Sequence, residues 1–273
     1  MRRTVRQKPD MRAVLLALCV AGHPASGSAL ELDGGRATLQ FGAFAGETTF
    51  SPFRVHGDAL MLFGQTGVQF GATYGSDDLT DLHVIGFRNI GRRWRIGAEL
   101  QSWNDPALAG ADLVWGLRIR YSDAGGTVDT RGGLVHNGPD GAFFVTVAME
   151  QNLTATASVR GMLHRYSTNP EAGDFFAIGL GGDVDISDDW AIYADGIWSL
   201  SDDYSTETTG ATIGLRHRLN TSHSLFAGLS GHSVNGDVSG GITAGLSLSL
   251  DRPGSDTMFD TDPWQMQLAQ IRH

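Results

Sequence analysis

Three short motifs in this 273-residue sequence combine residue types that can do chemistry. Asp183-Val184-Asp185 and Asp81-Leu82-His83 would activate a water between them if one rim brought them together, since carboxylate and imidazole both act as bases. His232-Ser233-Val234-Asn235 sets a base beside a hydroxyl nucleophile. That pair works only with both side chains on one face, and adjacent residues of a strand point to opposite faces. The sequence contains nine His and one Cys, and none stands in metal-ligand spacing with His217 or His223. The glycines from Gly179 to Gly182 lack the Gly-Lys-Ser/Thr that a phosphate loop requires. The expectation is no enzyme activity, no metal and no cofactor.

A second set of charged residues recurs at alternating positions. Arg93, Arg95, Arg118, Arg120, Arg131, Arg160, Arg216 and Arg218 stand against Glu99, Asp112, Asp129, Glu150, Asp183, Asp185 and Asp195. In extended segments such residues share one face of a sheet. Around an enclosed lumen, a ring of fixed charge would set ion selectivity. The near balance of signs equally suits Arg–carboxylate pairs that fill and brace the interior. Arg93, Arg95, Arg118, Arg120 and Arg131 cluster on three neighbouring segments and are the first candidates for a constriction favouring anions. Acidic Asp77, Asp78, Asp202, Asp203 and Glu207 fall in polar connections and read as solvated loops.

The elements that would position these charges are strands. Leu113, Trp115, Leu117, Ile119 and Tyr121 alternate with Asp112, Val114, Gly116, Arg118 and Arg120, and the pattern repeats down the chain. It predicts strands near 60–74, 82–90, 92–103, 111–121, 127–136, 142–150, 153–165, 174–186, 189–199, 208–219, 222–232 and 239–250. Runs of this length match the roughly 9–11 residues with which a tilted strand crosses a bilayer. Ala37, Leu39, Phe41, Ala43 and Ala45 alternate as well, and 54–63 can pair back on them, which raises twelve strands to fourteen. Short turns at 90–91, 123–126, 151–152, 187–189 and 220–221 mostly alternate with longer connections at 75–81, 104–110, 166–173, 200–207 and 233–238, the connection Gly138-Pro139-Asp140 being shorter than its side requires. Short periplasmic turns and long extracellular loops are the habit of bacterial barrels. Trp94, Tyr121 and Trp190 then lie at the periplasmic end and Tyr74, Trp103 and Trp198 at the other, as aromatic belts require. Asp183 and Asp185 fall at a turn end and Asp81 and His83 at a loop end, so the two motifs cannot share a water.

The amino terminus fits export. Arg2, Arg3, Arg6, Lys8 and Arg12 precede an apolar run from Ala13 to Ala21, and small residues end at Ala29. The order predicts a signal peptide over 1–29, with Cys19 inside it. Of 20 basic and 30 acidic residues, five and one fall in that segment, leaving 15 Arg against 29 acids. Nucleic acid, which demands excess Lys and Arg, is not an expected partner. Residues 251–273 are polar and read as a periplasmic tail.

Over residues 30–250 the pattern resembles the Gram-negative outer-membrane β-barrels of the porin-like kind. The resemblance implies an all-β, antiparallel, up-and-down transmembrane barrel of 12 or 14 strands. It also implies outer-membrane localisation, contact with outer-membrane lipid and the barrel-assembly machinery, and passage of small polar solutes. A closed, side-chain-filled barrel with a structural or surface role is the alternative. One departure stands out: such barrels usually end on an aromatic residue, whereas the last strand here ends at Leu250 and the chain runs on to His273.

Overall fold

The computed structural model describes residues 34–46, 53–75, 80–104, 111–136, 143–167, 175–201 and 206–249. The predicted signal peptide, the tail 251–273 and the acidic loop residues at 77–78 and 202–203 lie outside these residues. The side chains of Trp103 and Asp112 do as well.

Fourteen strands follow in chain order: β1 (Gly34–Gly46), β2 (Phe53–Phe63), β3 (Thr66–Gly75), β4 (Thr80–Ile90), β5 (Trp94–Asn104), β6 (Ala111–Ser122), β7 (Gly126–His136), β8 (Phe143–Asn152), β9 (Ala157–Ser167), β10 (Phe175–Asp185), β11 (Trp190–Ser201), β12 (Glu207–Arg218), β13 (His223–Val234) and β14 (Asp237–Ser249). Each pairs antiparallel with its sequence neighbours, and β1 pairs with β14 to close the barrel. Closure leaves no sheet edge with unpaired amides, the condition for a sheet to stand in hydrocarbon. At ~3.3 Å per residue and a tilt of roughly 40°, strands of this length rise about 25–33 Å.

The alternation resolves into two surfaces of opposite character. Leu39, Phe70, Leu82, Ile96, Leu117, Val147, Leu163, Leu180, Ile213, Leu229 and Ile242 are exposed on the outside. Water would not tolerate such a band, since contiguous exposed apolar patches on soluble monomers are small. Inward positions of the strands carry Arg54, His56, Asp58, Gln69, Glu99, Arg118, Asp129, Arg160 and His164, all buried. Trp94, Tyr121 and Trp190 face outward at the short-turn end, where Trp94 packs edge-on against Tyr121 at 5.0 Å. Tyr74 and Trp198 face outward at the loop end, and the Trp198 indole donates to Glu207 at 2.8 Å.

Three hairpins differ from the sequence expectation. Strand β8 runs through Gln151-Asn152, expected as a turn, and the connection to β9 falls at 153–156. The run 60–74 is broken between β2 and β3 by Gly64-Gln65, with Gly64 at φ 62. That turn separates β2 from β3, and β1 with β2 are the two strands that bring the count to fourteen. The connection expected over 233–238 is a two-residue turn, Asn235-Gly236, flanked by the pair Val234↔Asp237. Both turn residues have positive φ, 50 and 95, as a type I′ hairpin requires.

Candidate functional site: the barrel interior

Register explains how so many polar side chains fit inside. Asp58 on β2, Gly71 on β3 and His83 on β4 form one cross-strand row. Gly71 has no side chain, so His83 Nε2 reaches over it to Asp58 Oδ2 at 3.2 Å, and a Cβ there would strike the His83 ring. The same device recurs with Arg160 on β9, Gly181 on β10 and Asp195 on β11. Arg160 donates through Nε and Nη2 to the two oxygens of Asp195 at 2.7 and 2.9 Å, and a Cβ on Gly181 would collide with that carboxylate. Tyr193 on β11 lies across Gly214 and Gly228 on the next two strands, toward Thr243. Rings of Phe44, Phe87, Phe226 and His232 likewise lie over directly opposed glycines, Gly241, Gly67, Gly245 and Gly210. These rings stay against the wall instead of projecting across the axis.

Two ion-pair webs result. The larger joins β2, β3, β4, β6 and β7. Arg118 donates through Nε to both Asp129 oxygens at 2.9 and 2.8 Å, and Arg120 Nε donates to the same carboxylate at 2.8 Å. The other arm of Arg118 donates to Gln69 Oε1 at 3.0 Å, spanning from β6 to β3. Gln69 in turn donates to Asp58 at 3.2 Å. Side chains of Arg118 and Asp129 are 7% and 3% exposed, so this sector is closely filled. The smaller web, on β9 to β12, holds Arg160 between Asp195 and Asp183, with Ser158 donating to Asp183 at 2.8 Å and Arg216 at 3.8 Å from it. It is wetter: Asp183 and Arg216 side chains are 14% and 24% exposed.

The charges expected to share the interior distribute as follows. Arg95, Glu99, Arg118, Arg120, Asp129, Arg131, Glu150, Arg160, Asp183, Asp185, Asp195 and Arg216 all face inward from their strands. Arg95 bonds Asn89 at 3.0 Å and its guanidinium sits 4.1 Å over the Phe87 ring. Arg218 is exposed at the short-turn end and donates to the Asp188 carbonyl at 2.9 Å. Arg93 is outside the set: it belongs to the exposed β4–β5 turn and donates to the Tyr121 hydroxyl at 3.3 Å. Asp183 and Asp185 lie near the turn end, Asp81 and His83 near the loop end, and no catalytic pairing joins them. His232 is in β13 and not in a loop; it faces inward, buried, edge-on to Phe44 at 5.2 Å. Sequence reasoning passed over His56 and His164, and weighed His83 only within the Asp81-Leu82-His83 motif; all three are also inward and buried near the loop end. Strand parity with Asp58, Asp81 and Met162 was the signal that could have found them. Among the described residues no group of three or more His, Cys, Asp or Glu is placed to hold a metal ion.

No protein-family model and no curated protein matches this chain. Solved structures do. The CymD monoaromatic hydrocarbon channel is 10% identical and superposes with a TM-score of 0.56, over 83% of this chain and 90% of that one. A FadL homologue of Pseudomonas aeruginosa gives 0.53 at 9% identity, over 80% and 90%. The Pseudomonas putida toluene transporter TodX gives 0.52 at 9% identity, over 85% and 91%. At such identity the likeness is one of fold. An apolar outer band, a closed sheet and that likeness together make this chain a fourteen-stranded antiparallel β-barrel of membrane-spanning type whose fold resembles that of the outer-membrane channel proteins.

Proposed function

We propose that the barrel is a passive channel for small polar solutes, its path running along the wall formed by β10 to β14 and β1. The observation that carries this is the contrast between the two webs. Arg118 and Asp129 are sealed among side chains, whereas Asp183 and Arg216 are reached by water. On the opposite wall the inward glycines Gly214, Gly228, Gly241 and Gly245 let the Tyr193, Phe44 and Phe226 rings lie flat against the sheet, which keeps that wall low. Two of the similar structures are named for hydrocarbons, but the inward apolar residues here, among them Leu60, Ile85, Phe87, Val114 and Phe144, are packed away in buried clusters, and the water-reached Asp183 and Arg216 offer apolar solutes no favourable lining. Asp183, Asp185, Asp195 and Arg216 are the residues proposed to line the path. Arg95, Arg118, Arg120, Arg131 and Glu99 form its braced wall, Arg218 stands at the turn-end mouth, and Arg93 sits on the outer side of that rim against the Tyr121 hydroxyl. Following the usual alternation of loop lengths, that mouth opens to the periplasm. Outer-membrane lipid and the assembly machinery are the partners this placement implies.

A filled barrel with a structural role is the second reading, favoured by the Arg118–Gln69 contact that cuts across from β6 to β3. Planar-bilayer recording of the purified barrel separates the two. Steady current, with the reversal potential moving toward anions in Asp183→Asn/Asp195→Asn, supports the channel. A heat-modifiable barrel that carries no current refutes it.

A further inference from the structure

The short-turn rim is electrically lopsided. The β4–β5 hairpin carries Arg88, Arg92 and Arg93 within six residues, and the β10–β11 turn carries Asp188 and Asp189. Arg88 is the unusual one. It points outward, exposed, in a strand face otherwise made of Leu82, Val84, Gly86 and Ile90. It pairs across the strands with Ile96, and the neighbouring outward positions are Trp94, Tyr121 and Ile119. A guanidinium facing lipid is tolerated near the interface and costly at the midplane. Arg88 stands two residues from the end of β4, one outward position inside the row Ile90–Trp94–Tyr121. Arg93 is tied to the Tyr121 hydroxyl, which itself donates to Asp123 at 3.2 Å, so that carboxylate faces the group. Among the described residues, neither Arg88 nor Arg92 has a carboxylate within ion-pair distance.

We infer that Arg88, Arg92 and Arg93, with Trp94 and Tyr121, form a binding site for the headgroup of an anionic phospholipid in the leaflet at the turn end. Guanidinium groups suit phosphate because their planar fork donates two parallel hydrogen bonds. Trp and Tyr seat the glycerol level, with apolar bodies in the acyl region and polar tips toward the headgroup. The long Arg88 side chain can run along Ile90 and lift its charge to the phosphate plane. A soluble acidic protein fits less well, because Arg88 is on the lipid-facing side of the strand and not on the turn. The inference rests on the membrane placement of the barrel and is independent of whether it conducts.

Native mass spectrometry of the purified barrel, released from mixed phosphatidylglycerol and phosphatidylcholine, is the test. The wild type should retain phosphatidylglycerol over phosphatidylcholine by on the order of tenfold or more, as two or three interfacial Arg imply. Arg88→Gln/Arg92→Gln/Arg93→Gln should lose that preference while keeping its heat-modifiable migration. Asp188→Asn/Asp189→Asn on the far rim should leave it unchanged. If the triple variant does not fold, Arg92→Gln, in the exposed turn, should alone lower the preference severalfold. Equal retention of both lipids by the wild type, or full preference in a folded Arg→Gln variant, would overturn the assignment.

Discussion

Asp129→Asn is the substitution whose cost reads out how dry the larger web is. The Asp129 carboxylate accepts from Arg118 and from Arg120, and both partners are buried. Its amide replacement has nearly the same shape, removes the negative charge and turns one acceptor into a donor aimed at a guanidinium. Arg118 would keep its bond to Gln69. Uncompensated charge in a closed site costs about 3–5 kcal/mol. The same pair on a water-lined wall is worth about 0–1 kcal/mol. Urea unfolding in phospholipid vesicles, followed by tryptophan fluorescence, should show a loss of about 3 kcal/mol or more for Asp129→Asn. The double variant Asp129→Asn/Arg118→Gln should recover part of it, because the pair is removed together. A loss below about 1 kcal/mol would refute the filled sector and move the water path to the β6–β7 wall.

Other outcomes follow from the same geometry. Gly181→Ala should break the Arg160–Asp195 pair and cost about 3 kcal/mol, whereas Gly132→Ala, whose Cβ would meet nothing closer than 3.5 Å, should be near neutral; the same unfolding assay compares them. Leu117→Arg, on the outer face at 62% exposure, should destabilise the folded barrel by about 2–4 kcal/mol in vesicles and much less in detergent micelles. In the β6–β7 turn, amide donation from Gly125, with help from the Tyr121 hydroxyl and the Gly126 amide, holds the Asp123 carboxyl below its ordinary range. A depressed folded value makes its contribution present above the unfolded value and lost as pH falls through the folded one. Local opening of this hairpin, measured by amide hydrogen exchange at Gly125 and Gly126, should therefore rise as the solution is acidified through that range, and Asp123→Ala should flatten the dependence.

Much of this architecture was legible because a barrel wall imposes period two on every residue. The alternation from Asp112 to Tyr121 gave both β6 and the inward direction of Arg118 and Arg120. Parity alone placed Asp129, Arg160 and Asp195 inside as well. Partners were not legible, because they depend on register. Nothing local to Gly181 says that Arg160 and Asp195 flank it; that follows only when two hairpins fix three strands in line. The reach of Arg118 to Gln69 depends on a further step, the curvature that brings β6 toward β3. Turns were mixed. Asn235-Gly236 is a strong hairpin signal, but it was hidden in the polar stretch 233–238, where a loop was expected on the strength of length alternation. Gly64-Gln65 was hidden for the opposite reason, because apolar residues continue on both sides of it and read as one run.

The central claim is conduction of small polar solutes through a folded barrel, and single-channel recording of purified protein in a planar bilayer tests it most directly. Heat-modifiable migration on a detergent gel establishes that the same preparation is folded. The expected result is stepwise, ohmic current whose reversal potential moves toward anions in Asp183→Asn/Asp195→Asn and toward cations in Arg216→Gln. A heat-modifiable barrel that inserts without current would contradict it.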